Sequence, residues 1–340
     1  MVVKVNGRIV STLRPRGGSF VADLDLPPGE LTMRVETIDA RGRRAGRTVR
    51  NLFGLPRAAR PRVRAPRLDG RFQREVRRLA AGFPGTAGIY VEHLSSGAGA
   101  AWNARATFPG ASTLKLAIAV ALLGRVDGPP TPGSTLDRIM RGMLIASDND
   151  AANRGLIYLG GSTSGGGARV NASMRAIGLE RTEMYGGYLL GTSLEPVREP
   201  ATRGIPLNVV SQPGWGVGKA TTAADLARLH RAVWLASAGL GPLGRSRSGV
   251  GPAEARYLLY LLAKVQTRSK LARVTHRRRS VVVLHKAGWI DAGRHDAGLV
   301  VSRSGVVVAA VMTYRASGPG RRADVLAGDV AEAALRRFRG

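Results

Sequence analysis

The chain has 340 residues, 44% of them hydrophobic, no cysteine, and a formal net charge of +29. That length and apolar content call for one large folded domain beside a smaller one and exclude general disorder. The lack of cysteine excludes disulfides, Cys-ligated zinc and thiol catalysis.

No apolar run reaches the length of a membrane span. The five histidines (His93, His230, His276, His285 and His295) form no H-x-H or H-E-x-x-H pattern, so neither a metal site nor a cofactor is expected. Lysine occurs only at Lys4, Lys115, Lys219, Lys264, Lys270 and Lys286, against 46 arginines. The arginines are scattered, apart from clusters at Arg41 to Arg50 and Arg277 to Arg279. Aromatic residues are sparse at 5% and no nucleic-acid motif accompanies the charge. The excess therefore reads first as a compositional bias toward Arg, Ala and Gly. Attraction to a polyanion, such as an acidic cell-wall polymer, is the functional alternative, and no specific nucleic acid is expected.

In chain order, residues 1–55 read as a small all-β unit. Phe20 to Leu26 and Leu31 to Glu36 alternate apolar and polar residues, with a turn at Pro27-Pro28-Gly29 and another at Asp39 to Gly42. The stretch from Gly29 to Gly42 resembles the closing strands of a bacterial immunoglobulin-like domain, shortened at its N-terminus. Residues 56–68, with PRAARPRVRAP from Pro56 to Pro66, read as a linker that can hold neither a ladder nor an unbroken helix.

Residues 69–340 form the main domain. Helical spacing covers Phe72 to Ala81, Ser112 to Leu123, and Asp137 to Leu159 apart from a loop at Ser147. It returns over Thr222 to Ala236, Ala253 to Ala263 and Arg322 to Phe338. Strands are expected over Ala87 to Leu94, Val281 to Leu284, Ala297 to Ser302 and Val306 to Tyr314, and a flexible loop over Gly160 to Gly167. Such segregation of strands and helices predicts an α+β fold, with helices packed on an antiparallel sheet.

Three stretches carry chemistry by their order: Ser112-Thr113-Leu114-Lys115, Ser147-Asp148-Asn149 and Lys286-Ala287-Gly288. If a helix starts near Ser112, Lys115 lies one turn on, on the same face. A serine hydroxyl needs a base to become a nucleophile. A lysine serves only when neutral, which burial and a second cation both promote.

The sequence around these stretches is similar to that of class A serine β-lactamases and penicillin-binding proteins. Phe108 to Lys115 resembles F-P-x-A-S-T-x-K, and Ile145 to Asn153 resembles M-S-D-N-T-A-A-N. Gly160-Gly161, Ile177-Gly178 and Thr221 to Leu226 follow in family order, and Lys286-Ala287-Gly288 stands for K-T-G. The resemblance covers roughly residues 69 to 338. It implies a β-lactamase-like antiparallel sheet flanked by helices, with a helical subdomain.

It further implies Ser112 as nucleophile, Lys115 as its base and Ser147 as proton relay to the leaving nitrogen. Asn149 would hold the substrate's amide side chain and orient Lys115, and Asp148 would point away. Lys286 would face a substrate carboxylate, and Gly288 would let the substrate approach the strand edge. The backbone N–H groups of Ser112 and Trp289 would form an oxyanion hole. Arg294 would be a second carboxylate anchor. Trp102, Trp215 and Trp234 are expected in packing, and His285 and His295 are given no role.

Three departures stand out. The segment between Ser112 and Ser147 is short, and Ala287 replaces a hydroxyl residue. No E-x-x-L-N loop supplies a deacylating glutamate: Glu183, Glu195 and Glu199, within the corresponding Glu180 to Asn208, do not head that motif.

The expected function is a serine hydrolase acting through an acyl-enzyme on β-lactams or related amides and esters. The alternatives are a penicillin-binding-type peptidase or esterase on peptidoglycan-derived peptides, or a non-catalytic wall-binding protein. A monomer is expected. The substrates imply a secreted or cell-envelope location. Met1 to Arg16 lack the order of a secretory signal, so either the protein stays in the cytoplasm or its true start lies upstream of Met1.

Overall fold

The computed structural model describes residues 1–14, 24, 26, 29–188, 205, 207, 209–213, 218–245, 249–278 and 280–339. Four strands come first: β1 (Val2–Val5), β2 (Arg8–Thr12), β3 (Gly29–Ile38) and β4 (Arg44–Gly54). They form an antiparallel sheet in the order β2-β1-β3-β4. The expected strand at Leu31 to Glu36 lies within β3. The one at Phe20 to Leu26 falls largely outside the described residues. No strand was expected at the positions of β1, β2 and β4, although they fall in the expected all-β unit; β1 and β2 are short, and arginines break the alternation of β4.

The Pro/Arg-rich segment holds a 3₁₀ turn at Arg57–Ala59 and ends in β5 (Arg67–Leu68). There follow α1 (Gly70–Ala81), β6 (Thr86–His93), β7 (Ala98–Trp102) and β8 (Phe108–Pro109). A 3₁₀ turn at Ala111–Leu114 leads into α2 (Lys115–Leu123), then α3 (Thr135–Arg141), a π-helical turn at Gly142–Ala146, α4 (Asn149–Gly160) and α5 (Thr163–Ala176). The chain continues through β9 (Ala220–Thr221), α6 (Ala223–Ala236), α7 (Gly241–Arg245) and α8 (Pro252–Ala263). After a 3₁₀ turn at Leu271–Arg273 come α9 (Val274–Arg277), β10 (Val282–Ile290), β11 (Gly293–Ser302), β12 (Gly305–Tyr314) and α10 (Gly320–Arg337).

The central sheet has the order β10-β11-β12-β6-β7-β5. It is antiparallel except where β5 joins β7 in parallel, so the expected antiparallel sheet is in fact mixed. One face packs on α1 and α10 through Phe72, Val76, Ile89, Val300, Val311 and Val330. The other packs on α6 and α8 through Leu229, Leu258, Leu299 and Val308. Burying both faces explains why β12 reads as a nearly unbroken apolar run. α1 starts at Asp69, whose carboxylate caps the Phe72 amide at 2.9 Å.

The expected flexible loop at Gly160 to Gly167 is instead the start of α5. Ser162 caps it through the Gly165 amide at 2.9 Å. The glycines there serve packing: a Cβ on Gly166 would lie 2.2 Å from the Leu156 carbonyl oxygen, so α4 and α5 touch through their backbones. Composition alone reads such a run as loop.

The N-terminal sheet rests on the helical side of the main domain. Glu30 accepts from the Tyr260 hydroxyl at 2.8 Å and pairs with Lys264, and Arg141 donates to Asn51 Oδ1 at 3.1 Å. Phe53 and Leu55 pack against the larger core. Trp234 is buried, donating to the Ala59 carbonyl at 3.1 Å, as a packing role requires; Trp215 lies outside the described residues. Among the described residues, no helix is long and apolar enough to cross a membrane.

Candidate active site

α2 is buried along its whole length, and Lys115, its first residue, is its only charged one. Ser112 sits in the 3₁₀ turn just before it. Ala111, the preceding residue, has a left-handed backbone (φ 44°), which turns the chain sharply at the entrance to the helix. The loop is held from the side by β8, which pairs with β9, and by the Gly110 amide, which donates to the Lys219 carbonyl at 2.6 Å.

The second signature sits on a comparable bend. The π-helical turn ends at Ser147 in a left-handed conformation (φ 63°), and Asp148 caps α4 by accepting from the Asp150 amide at 2.9 Å. Asp148 is exposed, as expected, while Ser147 and Asn149 face inward. π-bulges of this kind recur at functional sites.

The three signatures meet at Ser147. Lys115 Nζ donates to Asn149 Oδ1 at 2.7 Å and to the Ser147 carbonyl, and lies 3.5 Å from Ser147 Oγ. From the sheet side, Lys286 Nζ donates to Ser147 Oγ at 2.9 Å and to the Ala287 carbonyl at 2.9 Å. One hydroxyl thus lies between two buried amines. Among the described residues, Ser112 Oγ makes no hydrogen bond: Lys115 is one turn away but spends its N–H groups on Ser147 and Asn149.

Burial is the main force on both lysines, because it penalises the charged form. It pulls the Lys115 pKa down to about 8, against a partial pull upward from Asp148. It pulls Lys286 to about 7, helped by the nearby Lys115 charge. The two amines titrate as a coupled pair. If one must be neutral to take a proton and the other charged to meet an anion, acylation peaks while the pair holds one proton. The rate of acylation by excess β-lactam is therefore expected to be bell-shaped, with its maximum between about pH 7 and 8; a flat profile from pH 5.5 to 9 would contradict this. Both folded-state pKa values lie below the ordinary 10.5, so the unfolded chain binds more protons above about pH 7. By these two groups the fold gains stability as pH rises toward 10.5.

β10 is the edge strand of the sheet and lies against the Ser112 turn. A Cβ on Gly288 would stand 2.8 Å from the amide nitrogens of both Ser112 and Thr113, so only glycine fits. Among the described residues the Ser112 amide donates to no carbonyl, which leaves it free at the β10 edge. Trp289 follows Gly288; its indole is 54% exposed and rests on the Lys270 ammonium, 4.9 Å from the ring centre.

Arg294 does not join this cluster. The β10–β11 register pairs Lys286 with Ala297 and Arg294 with Trp289, which places Arg294 on the opposite face of the sheet from Lys286. Its guanidinium pairs with Asp324 of α10 at 3.2 Å. The same face carries His285 and Asp296, buried and bonded at 2.8 Å. His295 is also fully buried. Glu183 accepts from the Tyr185 hydroxyl at 2.9 Å, and Glu195 and Glu199 lie outside the described residues.

Two residues at the site had no motif to announce them. Tyr188 is buried, with its hydroxyl on the Ala111 carbonyl at 3.2 Å and its backbone clamped by Asn153 (Tyr188 N to Asn153 Oδ1, 2.7 Å). Lys219 donates to the Gly187 carbonyl at 2.6 Å. The Lys115 and Lys219 ammoniums lie 4.6 Å and 4.9 Å from the centre of the Tyr188 ring. The one sequence signal was the scarcity of lysine. Three of the six lysines (Lys115, Lys219 and Lys286) gather here, in a chain that uses arginine nearly everywhere else. Lysine can lose its proton where arginine cannot. Among the described residues, no group of acidic and histidine side chains could hold a metal ion.

The model of the β-lactamase enzyme family matches residues 71–129 and 127–338. The chain belongs to that family and is a serine hydrolase of the β-lactamase type. Membership favours this reading over the peptidase and wall-binding ones. No curated protein matches the chain by sequence. Among solved structures, PBP-A is 22% identical with a TM-score of 0.61, covering 82% of this chain and 99% of its own. The β-lactamase of Sphaerobacter thermophilus is 20% identical with a TM-score of 0.59, over 79% and 98%. That of Streptosporangium roseum is 19% identical, with the same TM-score and coverage. At such identities the likeness speaks for the fold.

Proposed function

We propose that the chain opens β-lactams by transferring their acyl group to Ser112. The observation that carries the reading is the convergence of Lys115 and Lys286 on Ser147 beside the Ser112 turn. Ser112 Oγ attacks the amide carbonyl carbon and its proton passes to neutral Lys115. The developing oxyanion takes the free Ser112 amide, with the Trp289 amide as second donor. The C–N bond then breaks, and Ser147 hands its proton to the leaving nitrogen while taking one from a lysine. Ser112 is left as an ester. When the pair's one proton sits on Lys286, Lys286 attracts the substrate carboxylate while Lys115 is neutral. With Lys115 at about 8 and Lys286 at about 7, this is the less populated of the two one-proton arrangements. Asn149 holds Lys115 in place.

β-Lactams are the favoured substrates because relatives of the same fold are β-lactamases, and a point variant of PBP-A is an acyl-enzyme complex with penicillin G. Such substrates are met outside the cytoplasmic membrane, which supports a secreted or cell-envelope location. Residues 1–55 then form an accessory immunoglobulin-like unit and 69–340 the hydrolase domain, with 56–68 a connection whose last two residues, Arg67–Leu68, add β5 to the central sheet rather than serving as linker. The accessory unit's exposed arginines suit an acidic cell-wall polymer.

Steady hydrolysis of a chromogenic cephalosporin tests the reading. It is expected to be measurable in the native protein and lost in Ser112→Ala. Equal rates in the two would contradict it.

A further inference from the structure

We propose that Tyr188 is a positioning residue that sets the lifetime of the acyl-enzyme by keeping water from Ser112. The inference rests on the acyl-enzyme reading above and concerns its second half. Hydrolysis of the ester requires a water oxygen to attack the acyl carbon, a base to take that water's proton, and Ser112 Oγ to leave and regain a proton. Both the water and the base need room beside Ser112.

Tyr188 fills that room. Its hydroxyl reaches the Ala111 carbonyl, one residue before Ser112, and its ring lies over the Lys115 ammonium, one turn after it. The ring therefore runs alongside the nucleophile and covers the amine nearest to it. It is held firmly: Asn153 bonds both the Tyr188 amide and its carbonyl, and Lys219 ties down Gly187 while lying over the same ring. Burial pushes the phenol pKa up, so at neutral pH it donates its proton to Ala111 and cannot serve as a base. Asp148 faces solvent and Glu183 is engaged by Tyr185. Acylation is approached from the opposite flank, where Ser147 and β10 lie, and the ring enters it only through its contact with Lys115.

The test separates the two half-reactions. A fluorescent penicillin is mixed with the protein, the rate of labelling is followed, free probe is removed, and the loss of label is timed. The native protein is expected to keep its label for minutes, a lifetime that can be timed and that still allows the slow steady hydrolysis expected above. Tyr188→Phe, which keeps the ring, is expected to hold it within a few-fold as long. Tyr188→Ala is expected to lose label at least tenfold faster, and its labelling rate, which the uncovered Lys115 also touches, is expected to change by less than that factor. A purely structural role would slow labelling and loss of label together, and thermal unfolding of both variants shows that the comparison is between folded proteins. Native-like retention of label in Tyr188→Ala, or loss within seconds from the native protein, would overturn this inference alone. No labelling of the native protein would overturn the acyl-enzyme reading and this inference with it.

Discussion

Replacing Lys115 by methionine is expected to slow acylation by about 10³-fold, the scale of a positioned general base, while the protein melts at or above the native temperature. The two effects have one origin. Lys115 is fully buried, and burial is what drags its pKa to about 8. Keeping an amine there costs stability, because its charged form would be better solvated outside. Methionine fills nearly the same volume without a charge to desolvate. It forfeits hydrogen bonds to Ser147 and Asn149, but both acceptors are only half-buried and can turn to water. A base held at such a cost is a mark of function. Stopped-flow labelling and thermal melting on the same preparation check the pair of outcomes. A variant that acylates at the native rate would remove Lys115 from the proton path.

The second large effect is expected at Gly288. In Gly288→Ala the added methyl group would meet the Ser112 and Thr113 amide nitrogens at 2.8 Å, and both are backbone atoms that cannot swing aside. Either β10 or the nucleophile turn must shift. A misplacement of the order of 1 Å at the reacting atoms costs about 10²-fold in rate, and overpacking of this kind costs about 1–3 kcal/mol of stability. Acylation is therefore expected to fall about 10²-fold with a measurably lower melting temperature. Native kinetics in Gly288→Ala would show that the strand and the turn do not form one site.

Much of this site was legible before any coordinates, for a physical reason. Ser112 and Ser147 sit just before α2 and α4, and Lys286 lies in the middle of β10, and each comes with a local pattern: the apolar helix from Lys115, the polar cap at Ser147-Asp148-Asn149, the β-branched run before Lys286. The parts that escaped are those set by tertiary approach. Tyr188 lies far from Ser112 along the chain and reaches it only because Asn153 and Lys219 fold its loop back. α5 was hidden by glycines whose purpose is close contact with α4.

Arg294 illustrates a different failure. The hairpin turns at Asp291-Ala292, and counting back across it pairs Arg294 with Trp289, one residue out of phase with Lys286 and Gly288. Side chains alternate faces along a strand, so parity alone directs Arg294 toward α10, where Asp324 receives it. Proximity in sequence to Lys286 was the weaker guide. The N-terminal sheet was only partly readable, since its arginine-bearing strands expose both faces and so blur the alternation that marks a half-buried strand.

The most direct test of the whole account is the mass of the protein after brief exposure to penicillin G, followed by peptide mapping. The account predicts a gain of one penicilloyl group per chain, carried by the peptide that contains Ser112. An unmodified protein, or an adduct on any other residue, would contradict it.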